Sequence, residues 1–222
     1  GMINITPAWP NFTGAAKLVG ADVHELALSF DAEAQRFWLD FDKLQETVRK
    51  YPNIRMVNAN SPSNPTGWVM TVDEKNHLLE FCRRHKLFLL ADEIYDRITY
   101  TEAGRTSFLK LSEPDDHLII LNGFSKTYCM TGWRLGYLIA APEVALKMAQ
   151  MQEFVTSHAP SMAQVAAITA LRDGEPFIAE SLARYTRLRD LAMEKLNAID
   201  GLTVARPDGA FYIFFKLPEG IA

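Results

Sequence analysis

The sequence has few cysteines, no excess of positive charge and no long apolar run, and each absence excludes a class of protein. Cys82 and Cys129 are the two cysteines, so we predict free thiols rather than a disulfide-stabilised secreted domain. The formal net charge is −4 with no basic stripe, so we predict no nucleic-acid partner. No apolar run could span a bilayer and no secretion signal opens the chain, so we predict no membrane association and a cytoplasmic protein.

What is present is the composition of an ordinary globular protein. The 222 residues are 48% hydrophobic and 23% charged, which is enough for a sizeable core. Strand patterns alternate with helix patterns, which indicates an α/β fold with a mostly parallel sheet covered by helices, followed by the start of a small α+β domain. We place the large domain at 1–174 and the small domain at 175–222, with both domains incomplete.

The predicted elements follow from apolar periodicity and turn residues. Strands are predicted at 23–29, where apolar residues alternate, and at 54–59, 87–92, 117–122 and 135–141. The last three are short continuous apolar runs, which are typical of strands covered on both faces. Helices are predicted at 41–50, 72–85, 143–157, 161–172 and 175–199, and two strands joined by a Pro-Asp-Gly turn at 202–217. Thr71 and Glu74 have the spacing of a capping box at the start of the second helix.

The two ends of the chain look like the interior of a larger protein. "INITPAWPNF" (3–12) shows no strand or helix pattern of its own, and "LPEGIA" (217–222) directly follows a strand-like run. We therefore expect a piece of a longer protein, cut at both ends.

Polar side chains gather where the predicted strands end. They are Asn64 after the second strand, Asp92 and Tyr95 after the third, Ser125 and Lys126 after the fourth, and Arg134 just before the fifth. Taken singly, each is more simply a cap, a turn residue, a core tyrosine or a solvated surface charge. In open α/β sheets, however, ligands bind beyond the carboxyl ends of the strands. The joint occurrence at those ends therefore indicates a binding site.

The donor set matches the chemistry of pyridoxal phosphate. This cofactor needs a lysine to form a Schiff base and a carboxylate at its pyridine nitrogen. Its phosphate needs a bidentate guanidinium and a hydroxyl, and its ring needs an aromatic face. We predict no metal at this site.

Four motifs carry a family resemblance. "SNPTG" (63–67), "ADEIY" (91–95), "GFSK" (123–126) and "GWRLGY" (132–137) resemble, in order and spacing, the motifs of class I/II aminotransferases, the fold type I enzymes that use pyridoxal phosphate. The resemblance implies a homodimer that transfers an amino group between an amino acid and a 2-oxo acid. It also implies roles for seven residues: Lys126 as Schiff-base lysine and proton carrier, Asp92 at the pyridine nitrogen, Tyr95 and Asn64 at the 3′ oxygen, Ser125 and Arg134 at the phosphate, and Trp9 stacked on the ring.

The resemblance has departures and leaves alternatives open. Gly123 stands where many members have a second serine, so one phosphate donor is missing. The family's glycine-rich phosphate turn, N-terminal arm and carboxylate-binding arginine are not found, so we expect this chain alone to transaminate poorly. A C–S lyase of the same fold, an aminotransferase-like sensor domain of a regulator and an inactive remnant share these motifs. "EFVTSHAPS" (153–161) contains no arginine, which disfavours an aspartate-specific enzyme.

Overall fold

The architecture is a six-stranded sheet covered by helices. The computed structural model describes residues 1–113, 116–218 and 220. The strands are β1 (Met2–Thr6), β2 (Val23–Ala27), β3 (Ser29–Asp31), β4 (Arg36–Trp38), β5 (Met56–Asn60), β6 (Phe88–Asp92), β7 (Leu118–Gly123), β8 (Gly136–Ala140), β9 (Thr203–Val204) and β10 (Phe215–Lys216). The helices are α1 (Asn11–Leu18), α2 (Phe41–Lys50), α3 (Val72–His85), α4 (Pro142–Val155), α5 (Ser161–Asp173) and α6 (Glu175–Asn197).

The sheet has the order β2-β1-β5-β6-β7-β8. All neighbouring strands pair in parallel except β8, which runs antiparallel to β7. The α/β fold class with a mostly parallel sheet is therefore confirmed. Apolar side chains of the strands and of α2 and α3 form the main core, in which Leu44, Leu78 and Leu89 are almost fully buried.

The helix predictions from residue 41 onwards agree with the structure to within two residues at each end. The capping box is confirmed: the Thr71 hydroxyl accepts from the Glu74 N–H at 3.1 Å, and the Glu74 carboxylate accepts from the Thr71 N–H at 2.7 Å. Both cysteines are free thiols, as predicted. Within the described residues, no helix has the length and apolarity needed to cross a membrane.

The prediction that residues 3–12 have no element of their own is wrong. Met2–Thr6 forms β1, which lies inside the sheet between β2 and β5, and α1 follows it. The sequence hid this strand because Asn4 interrupts the apolar pattern. In the structure Asn4 is buried, accepts from the Asn58 amide at 2.6 Å and donates to the Thr13 hydroxyl at 3.0 Å. A hydrogen-bonded pair of asparagines thus makes a polar residue tolerable inside the sheet.

Two further predictions need correction. The strand at 135–141 is not covered on both faces: β8 lies at the edge of the sheet, and Tyr137 is 43% exposed. β9 and β10 do pair in antiparallel fashion, but Pro-Asp-Gly does not join them as a tight turn. Instead the N–H groups of Asp208 and Gly209 both donate to the Gly67 carbonyl, at 2.9 and 3.0 Å. The segment 205–214 therefore packs against the loops of the main sheet. Residues 219, 221 and 222 of the predicted small domain lie outside the described residues.

Candidate active site

The site lies at the carboxyl edge of the sheet, which is the end at which all the parallel strands finish. Asn60 of β5 pairs in register with Asp92 of β6, and Asp92 with Leu121 of β7. β8 runs the other way and starts at the same edge, where Gly136 pairs with Gly123. The loops that follow β5, β6 and β7 and the loop that precedes β8 are thereby brought together. These loops contain Asn64, Tyr95, Ser125, Lys126 and Arg134.

Asp92 ends β6 as a buried carboxylate. One of its oxygens accepts from the Ile94 N–H at 3.1 Å. Burial raises the pKa of Asp92 to about 6, and the Ile94 hydrogen bond opposes this only in part. Because a buried carboxylate is disfavoured unless a positive group faces it, Asp92 is suited to a cationic partner such as a protonated pyridine nitrogen.

Tyr95 is buried and contacts two aromatic rings of the segment 205–214. Its ring meets Phe211 edge-on at 5.3 Å and Tyr212 edge-on at 5.9 Å between ring centres. Its hydroxyl lies 2.9 Å from the Tyr212 hydroxyl. Burial raises the pKa of Tyr95, the Tyr212 hydroxyl raises it further, and the hydrogen-bonding Asn64 amide acts in the opposite direction. Tyr95 therefore stays neutral and keeps a proton to donate.

Lys126 follows β7 after a short loop and is half-buried. Its ammonium nitrogen lies 6.0 Å from the centre of the Phe211 ring, the same ring that contacts Tyr95. The lysine and the tyrosine thus face one aromatic side chain from two different strand ends. An amine in this position can reach a ligand that also contacts Tyr95.

Asn64 is held in place by Asn60, a residue that the sequence prediction missed. The Asn64 N–H donates to the Asn60 side-chain oxygen at 2.8 Å, and the Asn60 amide donates to the Asp92 carbonyl at 3.1 Å. One buried side chain therefore connects the loop after β5 to the end of β6. A polar residue at the end of the apolar run "MVNAN" (56–60) is the signal that could have identified it.

Ser125 and Arg134 are connected through Thr131. The Thr131 hydroxyl donates to the Ser125 carbonyl at 2.9 Å, and the Arg134 guanidinium donates to the Thr131 carbonyl at 2.9 Å. Arg134 is exposed and has a left-handed backbone with φ of 55°. This described bond uses one of the five N–H groups of the guanidinium, so others can bind an anion.

The structure explains the glycine at position 123. A Cβ atom there would lie 3.0 Å from the Leu135 carbonyl oxygen and 3.1 Å from the Gly136 Cα. Because β8 approaches so closely, a serine would require the strand pair to move. Glycine at this position thus fits the close approach of β7 and β8.

Trp9 is the predicted residue with the least structural connection to the others. It follows β1 at the same edge of the sheet, and its side chain is 48% exposed. None of the described ring contacts or hydrogen bonds joins it to Lys126, Asp92 or Tyr95. Stacking of the Trp9 ring on a bound cofactor therefore stays a prediction.

Glu93, to which the sequence prediction gave no role, holds a neighbouring segment. Its carboxylate accepts from the Ser107 hydroxyl at 2.6 Å and from the Phe108 N–H at 2.8 Å. Burial raises its pKa, and the positive charge of Lys75 opposes the shift. Glu93 therefore anchors the turns at 102–110 rather than joining the site.

The residues at this edge fit pyridoxal phosphate by the chemistry of their donors. Asp92 offers a buried carboxylate that lacks a cationic partner among the described contacts, as the pyridine nitrogen requires. Hydroxyl, amide, amine and guanidinium groups lie on the loops at the same end of the sheet. Among the described residues, no cluster of three or more histidine, cysteine or acidic side chains is arranged to hold a metal ion.

Known proteins that resemble this chain in sequence and in structure are aminotransferases. The chain is 33% identical over 219 residues to the aspartate aminotransferase of Geobacillus stearothermophilus, which covers 98% of this chain and 54% of that protein. The structure of the aromatic aminotransferase from Pyrococcus horikoshii OT3 superposes with a TM-score of 0.89 at 33% identity, over 97% of this chain and 57% of the other. A double mutant of Thermus thermophilus aspartate aminotransferase gives a TM-score of 0.88 at 31% identity, over 96% and 55%.

The chain spans about half the length of the relatives it matches. The sequence profile described as "Aminotransferase class I and II" matches residues 3–220, which is nearly the whole chain. This protein chain therefore belongs to the class I and II aminotransferase family.

Proposed function

We propose that the protein is a pyridoxal-phosphate-dependent aminotransferase that moves an amino group between an amino acid and a 2-oxo acid. The observation that carries this proposal is the position of Lys126, on the loop after β7, at the same sheet edge as Asp92 and Tyr95. Family membership supports the same activity. The relatives include both aspartate and aromatic-amino-acid aminotransferases by name, so the names do not single out one amino donor.

The proposed roles follow from charge and position. Pyridoxal phosphate, when bound, supplies an electron sink that stabilises negative charge on the α-carbon of the amino acid. Lys126 would hold the cofactor covalently and carry the proton to and from the substrate carbon. Asp92 would keep the pyridine nitrogen protonated.

The other site residues would bind and orient the cofactor. Tyr95 and Asn64 would donate to its 3′ oxygen. Ser125 and Arg134 would bind its phosphate, and Trp9 would cover one face of its ring. Together they would fix the cofactor between the ends of β5, β6 and β7, which is the orientation on which the reaction depends.

We also propose the organisation of the protein around this site. Residues 1–174 would form the cofactor-binding domain and residues 175–222 part of a small domain, with a boundary at the start of α6. Exposed apolar side chains on α4 and α5 support a homodimer. A cytoplasmic location is proposed from the free thiols and ordinary acidic composition.

The test is a coupled assay of the protein that carries this sequence, using aspartate, aromatic and aliphatic amino donors with 2-oxoglutarate or pyruvate as acceptor. We expect turnover with at least one donor, and none with the Lys126→Ala variant. Release of ammonia and pyruvate from cysteine conjugates, without amino transfer, would instead identify a C–S lyase.

A further inference from the structure

A contact between two tyrosine hydroxyls connects the candidate site to the segment 205–214. Tyr212 follows β9 in the chain, whereas Tyr95 follows β6, and their hydroxyl oxygens are 2.9 Å apart. The position of Tyr212 is set by backbone bonds just before it. The Ala210 N–H donates to the Ile98 carbonyl at 2.8 Å, and the Tyr100 N–H donates to the Asp208 carbonyl at 2.8 Å. Tyr212 is therefore held against Tyr95 independently of the hydroxyl contact.

Counting protons restricts how this pair can be arranged. Each hydroxyl has one proton to donate and can accept from others. If Tyr95 donates to Tyr212, it has no proton for a ligand. If Tyr212 donates to Tyr95, the Tyr95 proton is free to point at a third atom. Among the described hydrogen bonds, the Tyr212 hydroxyl contacts only Tyr95, so its proton is available for this bond.

An anionic oxygen next to Tyr95 selects the second arrangement, because a hydrogen bond to a charged acceptor is stronger than one between two neutral hydroxyls. The proposed function places such an oxygen there, the 3′ oxygen of pyridoxal phosphate. A donor bond from Tyr212 also polarises the Tyr95 hydroxyl and strengthens its own donation.

We propose that Tyr212 is a positioning residue for the cofactor: its hydroxyl donates to Tyr95 and so directs the Tyr95 proton to the 3′ oxygen. This inference rests on the proposed function. It gives the segment 205–214 a part in the chemistry at the sheet edge, through one side chain that does not itself touch the cofactor.

The groups that face Tyr95 define what else can titrate nearby. Asp92 lies on the same connection, three residues earlier, and its negative charge acts on Tyr95. Asn64 reaches Tyr95 from the loop after β5. From the loop after β7, Lys126 shares the Phe211 ring with Tyr95. Each of these groups is unchanged in the variants that test the proposal.

The first experiment measures the visible absorbance of the bound cofactor as a function of pH. Loss of a proton from the bound cofactor leaves more negative charge on its 3′ oxygen, which a hydroxyl donor stabilises. Tyr95→Phe should therefore raise the midpoint of the spectral transition. Tyr212→Phe should raise it in the same direction, by a smaller amount of about 0.5 pH unit.

The double variant decides whether Tyr212 acts through Tyr95. Once Tyr95 is phenylalanine, removing the Tyr212 hydroxyl should cause no further shift, since coupled residues are not additive. A double variant whose shift equals the sum of the two single shifts would overturn the proposal. So would a Tyr212→Phe midpoint equal to that of the wild type.

Tyr185→Phe is the matched control. Tyr185 belongs to the same aromatic group, with its ring 5.7 Å from Phe211. The described hydrogen bonds do not connect the Tyr185 hydroxyl to Tyr95. The midpoint of the spectral transition in Tyr185→Phe should therefore equal the wild-type value. A wild-type chain that shows no visible band with added pyridoxal phosphate would overturn the proposed function as well as this role. A visible band whose midpoint does not move in Tyr212→Phe would overturn this role alone.

A second measurement needs no cofactor. In protein labelled with ¹³C at the tyrosine Cζ, the Tyr95 resonance is identified by its loss in Tyr95→Phe. We expect this resonance to move in Tyr212→Phe and to stay in place in Tyr185→Phe. A Tyr95 resonance that is unchanged in Tyr212→Phe would show that the two hydroxyls are not bonded and would overturn the inference.

Discussion

The Asp92 carboxylate is disfavoured in the folded chain when no cation faces it. Burial raises its pKa from 3.8 to about 6, so the folded state binds more protons than the unfolded state between those values. The free energy of unfolding must then fall as pH rises from about 4 to about 6. Above pH 6, burial of the ionised Asp92 carboxylate lowers the free energy of unfolding by about 3 kcal/mol.

Asp92→Asn should remove this pH dependence. In urea unfolding of the cofactor-free chain, we expect the stability difference between variant and wild type to grow in favour of the variant from pH 4 to pH 6.5. Other titrating groups are common to both proteins and cancel in the difference. A difference that stays constant across this range would show that Asp92 is already compensated and is only a cap.

Asn60 is expected to affect both stability and cofactor affinity, although no contact with the cofactor is assigned to it. Asn60→Ala leaves the half-buried Asn64 N–H without its acceptor, which costs about 1 kcal/mol. Because the same change frees the loop that contains Asn64, the affinity for pyridoxal phosphate should fall as well.

Denaturant unfolding and cofactor titration measure the two effects of Asn60→Ala. Asn197→Ala is the control, since Asn197 is exposed and its 3.3 Å contact with Gln35 lies on the surface. We expect the control to change stability by no more than about 0.5 kcal/mol. Equal effects of the two substitutions would contradict the role assigned to Asn60.

At the scale of elements, a buried lysine fixes the turns beside β6 to α3. The Lys75 ammonium donates to the carbonyls of Ala103 and Thr106, at 3.3 and 2.5 Å, and Glu93 accepts from the Ser107 hydroxyl and the Phe108 N–H of the same segment. Burial lowers the pKa of Lys75, and the charge of Glu93 opposes this. The pair thus supplies charged hydrogen-bond partners to backbone groups of these turns.

Lys75→Met should loosen this segment. We expect a loss of about 2 kcal/mol in stability and faster proteolysis between residues 101 and 112, because the Thr106 carbonyl loses the Lys75 donor and the Ala103 carbonyl keeps only the Thr106 N–H at 3.4 Å. The exposed Lys195, changed to Met, serves as control and should leave both measurements unchanged. Unaltered proteolysis at 101–112 in Lys75→Met would show that the lysine does not hold the turns.

The sequence predicted the elements whose signals are local. α3 was identified from Thr71, Glu74 and an apolar stripe, all within one stretch of chain. β1 was missed because the partner that satisfies Asn4 lies 54 positions away at Asn58. The cofactor motifs lie on loops whose residue types are recognisable, whereas Tyr212 reaches Tyr95 from 117 positions away. Contacts of this kind have no signature in a single sequence.

At the scale of the whole molecule, α4 and α5 present apolar side chains to solvent. Phe154 is 90% exposed and Met162 is 81% exposed. More than half of the surface of Met151, Val165 and Ile168 is also exposed. A monomer rarely exposes so many large apolar groups on two consecutive helices. We therefore expect self-association at micromolar concentration.

Light scattering at several concentrations measures this self-association. Phe154→Glu and Met162→Glu should each shift the protein toward the monomer. Leu18→Glu, at an equally exposed position on α1, should not. A clean monomer of the unmodified chain at micromolar concentration would refute the prediction.

The central claim is that Lys126 binds pyridoxal phosphate at the carboxyl edge of the sheet. The most direct measurement adds the cofactor to the chain, records its visible absorbance, reduces the complex with borohydride and maps the labelled peptide. We predict a visible band and a label on Lys126, both absent in Lys126→Ala, with Lys110→Ala as a control that retains them. A label on another lysine, or an undiminished label in Lys126→Ala, would contradict the account.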